Sequence, residues 1–465
     1  MNTFGLLNPS VFQRAVVIAE KIKLFSVQAF LASPHAKRLD RQSLEALQVV
    51  SRVLPFRVNE YVLRELINWD HIPDDPIFRL VFPHRDMLQA TEYEALLGVL
   101  KIGANQSSIA QLVDRIRWRM NPHPAGQTTH NVPWLDGQPL KGLQHKYRQT
   151  VLFFPAAGQT CHAYCTFCFR WPQFVGMEGM KFDARENTDL LRYLGHHPEV
   201  SDVLITGGDP LIMGAESLAR CIRPLLRVGT LENIRIGTKA LAYWPQRFIS
   251  DTDSDELLRV FEEVVAAGKS ISLMAHYTHP VELRPEIAQK ALRRVIAAGA
   301  TVRIQSPLVR HVNDDPEAWT ELWKTGVRLG AIPYYLFVER DTGAHDYFKV
   351  PLVQAHNIYQ SAYQATSGLA RTVRGPSMST LHGKVQINGV ATIGGERVFA
   401  LQFLQARQAE WTQRPFYARF DPNATWIDQL KPAFGARRFF FETPSDHVLP
   451  PIAQETQGAM EGLIA

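Results

Sequence analysis

Residues 150–170 read TVLFFPAAGQTCHAYCTFCFR. The stretch opens on a short apolar run, the pattern of a strand buried on both faces of a parallel sheet. It then turns through Ala-Ala-Gly into three cysteines, Cys161, Cys165 and Cys168, spaced C-x3-C-x2-C. Clustered thiolates in a long chain point to metal and away from disulfides. An iron–sulfur cubane held by three thiolates keeps one iron open for another ligand. Structural zinc wants four ligands, and a zinc site completed by His162 is the alternative. The fourth cysteine, Cys221, falls in a helical segment far along the chain and reads as a small apolar residue.

Working outward, the text on the C-terminal side repeats one rhythm. SDVLITGG, NIRIGTKA, SISLMAHY, TVRIQSPLV and PYYLFV read as further buried strands. NTDLLRYLGHH, ESLARCIRPLLRV, DELLRVFEEVVAAG and PEIAQKALRRVIAAG, lying between them, carry helical periodicity. Six such units predict an α/β fold, a partial (β/α)6 barrel spanning 143–345, with its chemistry at the C-terminal ends of the strands. On the N-terminal side, 1–142 reads as a helical region. Its Pro- and Asp-rich segment INWDHIPDDPIFRLVFPHRDML reads as an ordered loop. Residues 346–465 read as a mixed C-terminal region, in which RRFFF is expected to be a buried strand.

Composition narrows the class. The 465 residues are 46% hydrophobic and 20% charged, with a formal net charge of +5. That balance fits a globular enzyme and not a disordered chain. The basic residues are scattered, so no nucleic-acid track is expected. No apolar run reaches the ~20 residues a membrane span needs, and the first 25 residues lack an export signal. A cytoplasmic protein without membrane or nucleic-acid partners is therefore expected.

The cysteine loop resembles the signature of the radical S-adenosylmethionine superfamily, down to the aromatic Phe167 before the third cysteine. The resemblance implies a 4Fe–4S cluster on Cys161, Cys165 and Cys168. It implies S-adenosylmethionine on the open iron, adenine near Phe167, and an electron-donor protein. It also implies that Gly207, Gly208 and Asp209, just after the second barrel strand, contact the methionine amino group.

Further segments resemble the lysine 2,3-aminomutase family over about residues 60–390. They are INWDHIPDDPIFRLVFP, CFR, IRIGT, AHYTHPVEL, QSPLVRHVND and SGL…GK. The resemblance implies an isomerase that also uses pyridoxal 5′-phosphate and moves an amino group from the α to the β carbon of an amino acid. By position, Lys384 matches the lysine that carries pyridoxal phosphate. Tyr147 matches a tyrosine between the two cofactors. Arg170 matches the arginine on the substrate carboxylate, and His276 and Gln305 match positions near S-adenosylmethionine. The Gly-rich run usual before that lysine is reduced to Gly383 in SMSTLHG. A homo-oligomer is expected.

Lysine-specific members place two acids where the substrate ammonium docks. Here those positions hold Arg340 and Ser377, with Arg374 nearby and Asp341 next in sequence. A buried cation repels an ammonium, so an acidic or hydrogen-bonding substrate side chain is expected in place of lysine's. The competing reading of Arg340 is an ion pair with Glu339 or Asp341. No cysteine follows Cys221, so the C-terminal zinc cysteines of some lysine members have no counterpart. Two broader alternatives remain. One is a radical enzyme without pyridoxal phosphate, such as an epimerase, dehydrogenase or modifying enzyme. The other is a non-catalytic cluster protein.

Overall fold

The computed structural model of the chain describes residues 22–442. The N-terminal part is helical, with α1 at Arg41–Val50, α2 at Ala90–Lys101 and α3 at Gln106–Arg119. Asp40 and Asn105 cap α1 and α3, accepting from the N–H groups of Ser43 (2.7 Å) and Ser108 (2.9 Å), which satisfies donors that have no partner within a helix. The Pro- and Asp-rich segment is not all loop. It contains a helix, Pro76–Val81, because Asp75 accepts from Phe78 N–H at 2.7 Å and Pro76 occupies the first helical position. The Asp-Pro pair that suggested a turn is a helix start.

One eleven-stranded sheet organises the rest, and its strands neighbour one another in chain order. The strands are β1 Leu143–Tyr147, β2 Thr150–Phe153, β3 Asp202–Ile205, β4 Asn233–Thr238, β5 Ser270–His276 and β6 Thr301–Leu308. They continue with β7 Ile332–Val338, β8 Arg374–Ser379, β9 Gly383–Ile393, β10 Glu396–Ala406 and β11 Pro415–Arg419. The six expected barrel strands are β2 to β7, and all pair in parallel. A seventh parallel strand, β8, joins β7, so the sheet runs on past residue 345. β1 is antiparallel to β2, and β9 to β11 form an antiparallel meander. The helices between the parallel strands are α4 Thr188–His196, α5 Ala215–Ile222, α6 Ser254–Ala266, α7 Glu286–Ala297, α8 Pro316–Arg328 and α9 Leu352–Gln364.

Burial shows which face does what. Along β6, Val302, Ile304, Ser306 and Leu308 are buried, while Thr301, Arg303, Gln305 and Pro307 are half-buried. The first set faces the helices, where α7 contributes Ala288, Ala291, Leu292 and Val295. Each such large apolar side chain contributes about 1.5–3 kcal/mol. The outer face therefore carries the stability, and the polar inner face is left for a ligand. The sheet curls until its first strand meets the region after its last parallel strand: Lys146 at the end of β1 donates to the Thr380 carbonyl in the β8–β9 turn.

A second apolar cluster lies between β8–β11 and the C-terminal segment. Phe439 and Phe441 are buried in it, but 437–441 is irregular, not the expected strand. The three phenylalanines pack as plugs: Phe441 lies 5.2 Å from Phe403, and Phe440 5.9 Å from Trp411. The expectations for residues 1–21 and 443–465 fall outside the described residues. No described helix is long and apolar enough to cross a membrane.

Candidate active site

The cysteine loop leaves the C-terminal end of β2 and is held from the N-terminal region. Arg57 donates to the Thr160 hydroxyl (2.6 Å) and the Cys161 carbonyl (2.9 Å) and lies 4.9 Å from the Tyr164 ring centre. Tyr164 N–H binds the Arg57 carbonyl, and Thr166 N–H the Leu80 carbonyl, each at 2.9 Å. Burial pushes the thiols up, Cys165 to about 12 and Cys168 to about 11, with Cys161 also well above its usual value. Thiols so placed ionise only against a strong positive centre. Their sulfurs are not gathered within 4.8 Å as ligands of a single ion would be; among the described residues only His123, Asp341 and Asp428 are. A cluster needs the wider spacing, since each thiolate meets a different iron. The residues fit a cluster better than zinc.

Gly207 and Gly208 lie against this loop. Gly207 has φ +148°, and a Cβ on Gly208 would meet the Thr160 carbonyl oxygen at 2.3 Å, so a side chain at either position would push the two loops apart. The Asp209 side chain is engaged within the protein. Its carboxylate is filled by the Thr238 hydroxyl (2.7 Å), the N–H groups of Leu211 (3.0 Å) and Lys239 (2.8 Å), and His162 Nε2 (3.2 Å). It braces β3 against β4. His162 is thereby part of this brace and not a metal ligand. Phe167 meets the His276 ring at 5.6 Å, edge to face, and His276 pairs with Gln305 across β5 and β6. Burial, aided by the Lys239 charge, keeps His276 neutral, and its Nε2 is buried without a partner.

Lys384 starts β9, opposite Ser379 of β8. Strand alternation puts Ser377, Ser379, Lys384 and Gln386 on one face, with Met378 and Val385 behind in the apolar cluster. Lys384 Nζ sits 3.9 Å from the Tyr335 ring centre and 5.3 Å from that of Phe337. Burial, then the charges of Arg374 and Arg235, pull its amine down to about 7. Arg374 lies 4.4 Å from the centre of the same Tyr335 ring. The one surviving glycine, Gly383, has a steric reason: a Cβ there would meet the Gln405 carbonyl oxygen at 2.4 Å. Ser377 is fully buried with no partner for its hydroxyl.

A cavity of about 590 Å³ opens beside these strands, lined by Lys146, Tyr147, Phe169, Arg170, Arg340 and Ser379 among others. The loop 122–131 and the segment 426–442 cover it. The Arg170 and Arg340 guanidiniums stand 5.2 and 5.4 Å from the centre of the Phe169 ring. Burial pulls Arg170 down to about 10. The acids that could have neutralised Arg340 are engaged elsewhere: Glu339 holds His345 Nδ1 at 2.6 Å and Asp341 holds His123 Nε2 at 3.0 Å. Among the described residues, Arg170, Arg340, Arg374 and Lys384 have no carboxylate within salt-bridge distance. Buried cations without partners are costly, and a site that gathers Arg170 and Arg340 beside Lys384 is built to receive anions.

A protein of Aquifex aeolicus, provisionally named an L-lysine 2,3-aminomutase, is 32% identical over 394 residues, 84% of this chain and 92% of its own length. The chain belongs to the lysine 2,3-aminomutase family of radical S-adenosylmethionine enzymes. The L-lysine 2,3-aminomutase of Haemophilus influenzae is 28% identical over 56% of this chain and 74% of its own. That of Bacillus subtilis is 28% identical over 50% of this chain, which spans about half (47%) of that relative. No family model matches the sequence. Among solved structures, Streptococcus suis SuiB bound to S-adenosylmethionine aligns with TM-score 0.33 at 15% identity, over 58% of this chain and 56% of its own.

This family member thus brings Cys161, Cys165, Cys168, Phe167, Gly207, Gly208, His276 and Gln305 to the ends or inner face of β2 to β6. Tyr147, Arg170 and Arg340 come together in the cavity beside Lys384, Arg374 and Ser377. The sequence reading did not pick out Lys239, whose ammonium is buried against Glu282 at 2.8 Å and donates to the His276 carbonyl at 3.1 Å. Its only signal is position, directly after β4. Lys146, which lines the cavity, was also missed, because only closure of the sheet brings it there.

Proposed function

We propose that this aminomutase family member uses pyridoxal phosphate and acts on an amino acid whose side chain carries an anion, not on free lysine. The carrying observation is the set of three guanidiniums, Arg170, Arg340 and Arg374, without acidic partners among the described residues. The two positions where lysine-specific relatives hold acids present a guanidinium, Arg340, and a neutral hydroxyl, Ser377. An ammonium entering here would meet like charge in a desolvated cavity.

The residues fit the pyridoxal reading. An amine lowered to about 7 is available as a neutral nucleophile, as covalent attachment to an aldehyde requires. When bound, the two cofactors supply a carbon-centred radical and a carbonyl group that can carry a migrating nitrogen. The chain does the rest. Arg170 orients the α-carboxylate, for which a planar guanidinium is suited by two parallel hydrogen bonds. Phe169, Tyr335 and Phe337 wall the reacting region and exclude water, which prevents quenching of reactive species. Arg340 shares the Phe169 ring with Arg170, so the two cations bracket a short dicarboxylate. His276 stays neutral beside Phe167 and keeps its free Nε2 for a hydrogen bond.

The test is anaerobic reconstitution with iron, sulfide and pyridoxal phosphate, reduction, and product analysis over a panel of amino acids. The β-amino isomer should form from aspartate- or glutamate-like substrates. Conversion of lysine with no preference for acidic substrates would remove the substrate assignment. Full activity in Lys384→Ala, with 5′-deoxyadenosine still formed, would select a radical enzyme without pyridoxal phosphate.

A further inference from the structure

Arg340 shares its turn with the acid best placed to neutralise it. Its Nε is buried without a partner, and the neighbouring charge that bears on it most is that of Asp341. Both side chains line the cavity. Consecutive residues can pair, as Arg85 and Asp86 do at 3.6 Å in this chain. Asp341 instead turns its Oδ2 to His123 Nε2, 3.0 Å away. Glu339, the other acid of the turn, is committed to His345 at 2.6 Å. His123 belongs to the loop over the cavity and stands between Pro122 and Pro124, which narrow its backbone to few conformations. The root of that loop is bonded to the Arg340 turn: the Met120 carbonyl accepts from Gly343 N–H at 2.8 Å and from the Thr342 hydroxyl at 3.2 Å. Asp428, from the C-terminal segment, completes the group. Its carboxylate, that of Asp341 and a His123 ring nitrogen lie within 4.8 Å of one another. Two carboxylates so close repel, and the imidazole they share is what keeps Asp341 there.

We propose that His123 is a positioning residue for specificity: by holding Asp341 it keeps that carboxylate off Arg340, so that Arg340 stays open to an anionic substrate side chain. This rests on the acidic-substrate reading and adds the residue that keeps the cavity ready for an anion. Without the imidazole, Asp428 repels Asp341 and Arg340 attracts it, and the nearest relief is an Arg340–Asp341 pair. That pair would neutralise the guanidinium and present a carboxylate to the cavity, which suits a cationic side chain and not an anionic one. The phosphate of pyridoxal phosphate is a further anion for the cations around Lys384. It is there with or without His123, so it does not decide between the two partners of Asp341.

The probes are glutarate and butyrate, which differ by one carboxylate, titrated by calorimetry into the anaerobically reconstituted protein loaded with pyridoxal phosphate. The cofactor phosphate is the same in every titration and cancels from the ratio of the two affinities. The wild type should bind glutarate more tightly than butyrate. His123→Ala should cut that preference by at least about threefold, between the worth of an exposed ion pair and that of a charge-assisted hydrogen bond. His123→Gln, whose amide can still donate to Asp341, should restore most of it. In Asp341→Asn the preference should be at least that of the wild type, and adding His123→Ala should then change nothing. A wild type without preference for glutarate would refute the acidic-substrate reading and this proposal with it. A wild-type preference untouched by His123→Ala would refute the proposal alone. So would the same loss on adding His123→Ala to Asp341→Asn, since His123 would then act other than through Asp341. An equal loss for both probes in His123→Ala would mark a merely structural loop residue and overturn the proposal as well.

Discussion

Adding pyridoxal phosphate to the cofactor-free protein should give a capture rate that levels off just above neutrality. The reason is the state of the Lys384 amine. An ordinary lysine at 10.5 is neutral in roughly 3 of 10,000 molecules at pH 7. At about 7 the neutral fraction is about one half, an advantage of roughly a thousandfold. The assay is the initial rate of appearance of the visible band of lysine-bound pyridoxal phosphate by stopped flow, from pH 5.5 to 9.5. Lys384→Ala serves as the blank for other amines, Lys146 included. The rate should rise about tenfold per pH unit below 6.5 and flatten above 7.5. Arg374→Met removes a repelling charge and should move the midpoint upward. The same shift has a stability consequence. A lysine whose folded value is depressed costs stability below that value, and the cost is relieved as pH rises from about 7 toward 10.5. The cofactor-free protein should therefore become more stable across that window, and Lys384→Met should flatten the trend. A capture rate still climbing tenfold per unit between pH 8 and 9.5 would show an ordinary exposed amine and refute the reasoning.

Gly383→Ala places a methyl group against the Gln405 carbonyl oxygen (2.4 Å) and the Phe403 ring (2.7 Å). It should cost about 1–3 kcal/mol, lower the thermal midpoint by several degrees and weaken pyridoxal retention through the neighbouring lysine; an unchanged midpoint and pyridoxal content would contradict this. Arg57→Gln loses the guanidinium bonds to Thr160 and Cys161, so iron content per chain after desalting should fall; full iron retention would show that the clamp is idle. Lys239→Met strands the fully buried Glu282 carboxylate at about 3–5 kcal/mol. Calorimetric unfolding should show the loss, and the Lys239→Met, Glu282→Leu double variant should regain most of it.

The barrel was legible because β2 to β7 are short apolar runs alternating with periodic helices, the rhythm of a parallel sheet. β8 was not, since RGPSMS has Gly, Pro and Ser where strand formers are usual; its neighbours β7 and β9 hold it in the sheet. The helix at Pro76–Val81 was hidden by an Asp-Pro pair that serves turns and helix starts alike. RRFFF has the composition of a strand, but its phenylalanines are wanted as plugs in the second apolar cluster. At the site, the three cysteines stand out in the sequence because their spacing within one loop is itself the signal. Asp209 shows the limit: its type fits a ligand contact, and only the positions of Thr238, Lys239 and His162 reveal that its oxygens are occupied. Lys146 and Thr380 are 234 positions apart in the chain, and no local pattern links residues that meet only through closure of the sheet.

The central claim is that a cation-lined cavity beside a radical-generating cluster moves the amino group of an acidic amino acid. It is tested by incubating the reduced, reconstituted protein with S-adenosylmethionine, pyridoxal phosphate and equal amounts of lysine, aspartate and glutamate, and resolving the β-amino products. The account predicts a β-isomer of an acidic amino acid and little or none from lysine. β-Lysine as the main product would contradict it.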